Sequence, residues 1–368
     1  MTLTAPHPGS ARKTGTRSGL IDCDIHPVPP SLDALKPYLA ERWRTHLETI
    51  GSRRFTGHTY PKANAAACRV DAWPPTGGPP GSDLDWMREQ LLDRWEIRMG
   101  ILNPINHYGG QVQPRFSTAL AAATNSWMVE HLLEPEPRLR ASIALNQEDP
   151  AEAVAEIERR AGDPAFVQVL MLVRSQELLG GLKYRPILET AAAHGLPVAV
   201  HFGGTSVHPL TGAGMPSYYV EDHGGMAQAF QAHVASLVLN GVFESLPDLQ
   251  LILMEGGMAW VPSLCWRMDH LWKTMRAEVP ELTRAPSSYV RSNLWITTQP
   301  MEEPPDRHQF DQMLNHLDMD DRILFATDYP HWDFDAPDRA FPVRLSAGRE
   351  AAYFYRNACR LYGLPEQP

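Results

Sequence analysis

Short apolar runs alternate with longer stretches in which apolar residues recur every three or four positions, and this alternation continues along most of the chain. The first run, Leu20-Ile21-Asp22-Cys23-Asp24-Ile25-His26-Pro27, predicts a buried strand that ends at the proline. Further strands are predicted over 97–102, 139–145, 166–173, 198–202, 250–254, 293–298 and 323–327, with 166–173 read as apolar throughout. Helical spacing is found over 83–95, 116–133, 151–160, 184–194, 226–243, 260–275 and 350–362. Ser31 can cap a further short helix over 31–39, and Ser82 or Asp83 caps the one carrying Trp86, Leu91, Leu92 and Trp95. Strands apolar on both faces belong to a covered parallel sheet. About eight of them alternating with helices predict an α/β fold of the (β/α)8, or TIM, barrel type. An open doubly wound sheet is the alternative, but no Gly-rich phosphate turn follows the first strand.

Three stretches break the pattern. Residues 1–19 hold Arg12, Lys13 and Arg17 without the apolar core of a signal peptide, which predicts a disordered arm ahead of one barrel domain, 20–368. Residues 45–82 accumulate Gly, Pro, Thr and Asn around Trp73, which predicts a loop-rich insertion after strand 1, near the barrel mouth. A long Gly-rich loop is expected after strand 5, over 203–225, carrying His208, Tyr218, Tyr219, Asp222 and His223.

Bulk composition then narrows the class. With 43% hydrophobic and 21% charged residues among 368, the chain is ordinary globular material. A net charge of -10 and a pI near 5.8 argue against nucleic acid or an anionic membrane as partner. No apolar run approaches the roughly 18 residues of a membrane helix, and cytoplasmic residence is the default expectation. The four cysteines, Cys23, Cys68, Cys265 and Cys359, lack paired spacing, so neither a disulfide framework nor a thiolate zinc site is indicated. Cys23 alternates with Asp24 and is expected to face away from it.

The chemistry lies where the apolar runs stop. Asp24 and His26 are two apart on one strand and so share a face. His201 breaks the fifth run as His-Phe-Gly-Gly, Glu255 ends the sixth as Glu-Gly-Gly, and Asp328 ends the eighth as Thr-Asp-Tyr-Pro-His-Trp. In a barrel of this type, strand C-termini converge on one edge. Each residue alone has an ordinary structural role open to it, as a cap, a turn or a bonded core histidine. Their joint arrival at strand ends in barrel order is what points to a metal site. Imidazoles mixed with carboxylates suit zinc first, with manganese or ferrous iron as alternatives. A metal-activated water, deprotonated by a nearby carboxylate, is the chemistry such a site usually supports. Glu255 is a candidate acid, base or ligand, and His331 a candidate proton donor beside Trp332 at the mouth. Arg174, Arg291 and Tyr108 are candidates for binding a substrate carboxylate. His208 and His223 are expected to be solvated loop residues, and Trp260 part of the core.

The Asp-x-His of Asp24 and His26, the His-Phe-Gly-Gly at His201 and the Thr-Asp-Tyr-Pro-His-Trp run at Asp328 resemble the amidohydrolase superfamily. They resemble in particular its amidohydrolase-related branch, which includes aminocarboxymuconate-semialdehyde and resorcylate-type decarboxylases. The resemblance extends over nearly the whole chain from Leu20. It implies one divalent metal held by Asp24, His26, His201 and Asp328, with Asp328 also the base towards the metal-bound water, and a dimer. The fourth strand, 166–173, holds no lysine or carboxylate of the kind that bridges two metals in binuclear members. This chain departs from the pattern in carrying Asp24 where many hydrolases have a histidine, and Glu255 where most relatives place one. The leading expectation is a mononuclear metal-dependent hydrolase of a small organic molecule, with Asp328, Glu255 and His331 catalytic. The alternatives are a non-oxidative decarboxylase of an aromatic or enoic acid, and a non-catalytic ligand-binding barrel.

Overall fold

The computed structural model describes residues 19–50, 67–105, 113–204, 212 and 214–366. Eight parallel strands follow one another in chain order around a single sheet: β1 Ile21–Ile25, β2 Met99–Leu102, β3 Leu139–Ile143, β4 Phe166–Arg174, β5 Val198–Gly204, β6 Leu251–Met254, β7 Leu294–Thr297 and β8 Ile323–Leu324. The seam between first and last strands is closed by backbone hydrogen bonds from Cys23 N to Phe325 O (2.9 Å), Asp328 N to Asp24 O (3.1 Å) and His26 N to Tyr329 O (2.7 Å). The chain is therefore a (β/α)8 barrel. Its strands are buried on both faces, which is why they read as unbroken apolar runs.

Local chemistry accounts for where the helices begin and end. The helix Pro114–Met128 starts with proline, whose missing N–H costs nothing in a first turn, and Gln113 caps it by accepting from Phe116 N at 2.6 Å. Asp83 caps Leu84–Met87 by accepting from Trp86 N at 3.0 Å. The helix expected over 226–243 is two, Met226–Leu239 and Val242–Ser245, separated by Gly241 in the left-handed conformation (φ 64°).

Several expectations are corrected. The segment 31–39 forms a 3-10 helix, Leu32–Tyr38, because Pro37 cannot donate to an α-helical ladder. The insertion does not begin as loop: Glu41–Ile50 is helical, and 51–66 lie outside the described residues, as do 1–18 of the expected arm. The loop after β5 contains a short helix, Tyr219–Gly224. Two further helices, Pro286–Asn293 and Arg307–Leu317, were also not anticipated. The second carried a legible signal, since Phe310, Leu314 and Leu317 are buried at helical spacing behind Asp306, which accepts from His308 N at 2.9 Å. Among the described residues no helix is long and apolar enough to cross a membrane.

The return leg of the insertion is tied to the site edge of the barrel. Arg69 N donates to Pro330 O (3.1 Å) and Trp332 N to Ala67 O (2.9 Å), so Cys68 and His331 sit opposite each other in an antiparallel bridge. Further along, Val28 N donates to Gly81 O at 3.1 Å. Gly81 has φ +82°, and a Cβ there would lie 2.2 Å from His26 O. Neither constraint can be relieved by a side-chain movement, so Gly81→Ala is expected to destabilise the fold by about 1–3 kcal/mol. Urea unfolding checks this, and an unchanged midpoint would show that the contact is not required.

Candidate metal centre

Asp24, His26, His201, Glu255, Asp328 and His331 converge at the C-terminal ends of β1, β5, β6 and β8. Their ligand atoms form two overlapping groups, Asp24/His26/His201/Glu255 and His26/Glu255/Asp328/His331, each lying within 4.8 Å. All are buried except His331, which reaches the mouth. The expected quartet is divided between these groups: Asp24 and His201 lie in the first, Asp328 in the second with His331, and His26 and Glu255 are common to both.

Hydrogen bonds decide which way the rings face. His26 Nδ1 lies 2.9 Å from Asn103 O and His201 Nδ1 lies 2.6 Å from Phe202 O. A carbonyl only accepts, so both Nδ1 atoms carry the proton and both Nε2 atoms turn inward. There His26 Nε2 is 2.7 Å from Asp328 Oδ1 and 3.4 Å from Asp24 Oδ1, and His201 Nε2 is 3.1 Å from Asp24 Oδ2. Lone pairs aimed at lone pairs require a shared proton or a cation between them. Asp328 Oδ2 is buried with no hydrogen-bond partner among the described residues, a costly arrangement unless something positive meets it. This donor set fits a divalent ion.

Backbone strain aims two of the carboxylates. Glu255 and Asp328 both adopt φ 59°, a conformation side-chain-bearing residues rarely hold outside functional turns. Trp260, expected in the core, is buried there and donates from its indole nitrogen to Gly256 O at 2.7 Å, which anchors the turn after Glu255.

Charges follow from this geometry. Burial pushes Asp24 up, but the charges of His201 and His26 and hydrogen bonds from His201 and Asn103 outweigh it and hold the carboxyl at about 2. Burial opposes protonation of His201, yet Asp24 and Glu255 raise it to about 9. His331 is likewise raised well above the usual range, against burial, by Asp328 at 2.6 Å and by Glu255. Its ring stacks on His26 with centroids 4.4 Å apart. Burial and the nearby charge of Asp328 push Glu255 up.

A pH dependence follows. Asp24 goes from 3.8 to about 2, so its contribution to stability is present above 3.8 and is lost as pH falls through 2. His201 goes from 6.5 to about 9, so its contribution is full below 6.5 and is lost as pH rises through 9. Asp22, raised by burial from 3.8 to about 7, also loses stability with rising pH across that range. Chelator-treated protein is expected to melt highest near pH 4 and progressively lower towards 9. Manganese should reverse that slope, because ligation needs the neutral imidazole. Melting curves with and without the ion check both halves.

Some residues were missed. Asn103, read only as the stop of the second strand, donates from Nδ2 to Asp24 Oδ1 at 2.8 Å while its carbonyl accepts from His26, so it orients both β1 side chains. Asp22 accepts from Thr327 Oγ1 at 2.6 Å and Thr327 N at 3.0 Å across the seam. Cys23 meets the Tyr362 hydroxyl and is not part of the cluster, in keeping with the alternation.

Other expectations about the pocket are revised. Arg291 is exposed, 3.4 Å from Asp318, on the helix that precedes β7, so it serves the surface and not the site. Arg174, one residue past the expected end of the fourth strand, ends β4 and bonds Asp222 at 2.5 and 2.6 Å, pinning the Tyr219–Gly224 helix to the barrel. His223 is partly buried, not solvated: it lies 2.9 Å from Asp333 Oδ2 and packs on Trp332, which donates to Tyr219 OH at 3.0 Å. These rings form an aromatic rim beside the cluster. Tyr108 and His208 lie outside the described residues.

A TIM barrel with imidazoles and carboxylates gathered at its C-terminal edge defines a metal-dependent class of enzyme. The chain belongs to the amidohydrolase family, whose model, described as "Amidohydrolase", matches residues 21–364. Gamma-resorcylate decarboxylase of Rhodococcus jostii (strain RHA1) is 25% identical over 314 residues, covering 74% of this chain and 90% of that protein. The enzyme of the same name from Rhizobium sp. (strain MTP-10005) is 27% identical over 301 residues, covering 77% and 88%. Among solved structures, a dihydroxybenzoic acid decarboxylase from Polaromonas sp. JS666, with bound manganese and 2-nitroresorcinol, has the same fold (TM-score 0.65, 20% identity, 94% of this chain and 97% of that one). These relatives favour the decarboxylase alternative over the hydrolase expectation. They lend no support to zinc as the first choice of metal.

Proposed function

We propose that the protein is a metal-dependent, non-oxidative decarboxylase of an aromatic acid bearing a hydroxyl beside its carboxylate. The observation that carries this reading is the place of His331: the one member of the cluster open to the mouth, it lies 2.6 Å from Asp328 and 3.7 Å from Glu255, two carboxylates that favour its protonated form. Decarboxylation needs an acid that delivers a proton to carbon, and His331 is placed to be that acid.

Asp24, His26, His201 and Asp328 would hold the ion, with Glu255 within reach of the same centre. Three carboxylates favour a harder ion such as manganese over zinc. What the ion supplies when bound is positive charge, which orients a carboxylate and its neighbouring oxygen and offsets charge building there. The remaining steps belong to the protein. The rim of Tyr219, His223 and Trp332 presents flat surfaces to a ring. His331 delivers its proton to the ring carbon that bears the carboxylate. The carbon–carbon bond then breaks, its electron pair restores the aromatic ring, and carbon dioxide leaves. Asp328 and Glu255 stabilise the imidazolium that solvent regenerates.

The test is turnover of 2,6-dihydroxybenzoate and related ortho-hydroxybenzoates by manganese-loaded protein in deuterated water. Release of carbon dioxide with one deuterium at the vacated ring carbon is the expected result. Solvent oxygen in a product formed without carbon dioxide release would overturn the proposal in favour of hydrolysis.

A further inference from the structure

β4, expected to be apolar throughout, carries one amide. Gln168 is fully buried, and its hydrogen bonds run in a single direction. Tyr362 OH, on the C-terminal helix Asn357–Tyr362, donates to Gln168 Oε1 at 2.7 Å. Gln168 Nε2 donates to Ser142 Oγ at 2.8 Å and Asn103 Oδ1 at 3.1 Å, and Ser142 Oγ donates to Asn103 Oδ1 at 2.5 Å. Asn103 Nδ2 donates to Asp24 Oδ1 at 2.8 Å and to Cys23 O at 3.0 Å.

We propose that Tyr362 and Gln168 are positioning residues that act through Asn103 to fix the Asp24 carboxylate for metal binding. The inference rests on the metal reading above. An amide can sit either way round at nearly the same volume, with its oxygen or its nitrogen towards a neighbour. Inverting this chain would turn Asn103 Oδ1 onto an ionised carboxylate and a carbonyl, both acceptors. Asn103 keeps its nitrogen forward because two donors hold its oxygen. Gln168, one of them, keeps its own nitrogen forward because Tyr362 donates to its oxygen. The order is fixed at the Asp24 end, where the carboxylate and the Cys23 carbonyl only accept, and Tyr362 completes it by filling the Gln168 oxygen; in a dry interior each unmade bond is expensive. Asn103 links the two first-strand ligands, since its carbonyl also accepts from His26 Nδ1, so an inverted amide would disturb both.

The experiment is manganese titration of chelator-stripped full-length protein, read by calorimetry, with thermal melting as a check on folding. Gln168→Leu is expected to weaken manganese binding about 10–100-fold, as loss of an outer partner of a ligand typically does. Tyr362→Phe, which keeps the ring in place, should weaken it in the same direction and by less. The double variant should bind no worse than Gln168→Leu alone, because Tyr362 reaches Asn103 through Gln168 and its other partner, Cys23, is not part of the cluster. Wild-type affinity in Tyr362→Phe, or losses that add in the double variant, would overturn the relay. If Gln168→Leu does not fold, Tyr362→Phe decides the matter. Failure of the wild-type protein to take manganese under any loading condition is a different result: it would overturn the metal reading itself, and the relay with it.

Discussion

Asp328→Asn is expected to abolish metal binding and lower turnover by on the order of 10³-fold or more, while the protein stays folded. No other side chain has as many roles in the cluster. Asp328 Oδ1 meets His26 Nε2 at 2.7 Å and His331 Nδ1 at 2.6 Å, and its Oδ2 is a buried atom without a hydrogen-bond partner among the described residues. Asparagine has the same shape, so the strained turn at φ 59° need not change. Its amide, however, would donate to the His26 lone pair, satisfying that atom without a cation. The same change removes the charge that keeps His331 protonated, so the acid would be lost with the ion. Metal per chain, steady-state turnover and melting temperature, measured on one preparation, separate these effects. A variant that retains stoichiometric metal and near-normal turnover would show that Asp328 is neither a ligand nor essential to the chemistry.

His331→Phe is the second large effect, and it should split the functions that Asp328→Asn removes together. Phenylalanine preserves a ring to stack on His26, where the centroids now lie 4.4 Å apart, but it carries no proton. The expected result is a fall in kcat of about 10²–10⁴, typical of a lost general acid, with metal content unchanged. If metal disappears as well, His331 is a ligand and the proton must come from elsewhere. A mere rise in KM with kcat intact would make it a binding residue.

The barrel was legible because its strands are buried on both faces and so appear as apolar runs. The seam, however, had no such signature. β8 is short as a strand, Ile323–Leu324, and the hydrogen bonds of Phe325, Asp328 and Tyr329 to β1 could only be seen in three dimensions. The cluster residues were legible because a lone His, Asp or Glu ending an apolar run is conspicuous. Asn103 was passed over because an Asn-Pro pair looks like punctuation, and Gln168 because one amide hardly alters an apolar run. His223 shows the opposite difficulty: nothing local to a loop histidine reveals that Asp333 and Trp332, more than a hundred residues later, will enclose it. Helix Pro286–Asn293 was missed because it is short and mostly polar, so its buried Tyr289 and Val290 gave no periodicity to read.

The closed seam has a consequence for how the protein matures. Asp24 and His26 belong to the first strand and Asp328 to the turn after the last, and the backbone bond from Asp328 N to Asp24 O, 3.1 Å long, joins the two ends. During synthesis the first two side chains leave the ribosome some three hundred residues before the third. A nascent chain that has folded seven strands therefore carries Asp24, His26, His201 and Glu255 but still lacks Asp328 and His331. The second group of the cluster, with Asp328 and His331, is thus completed only when the ring of strands has shut.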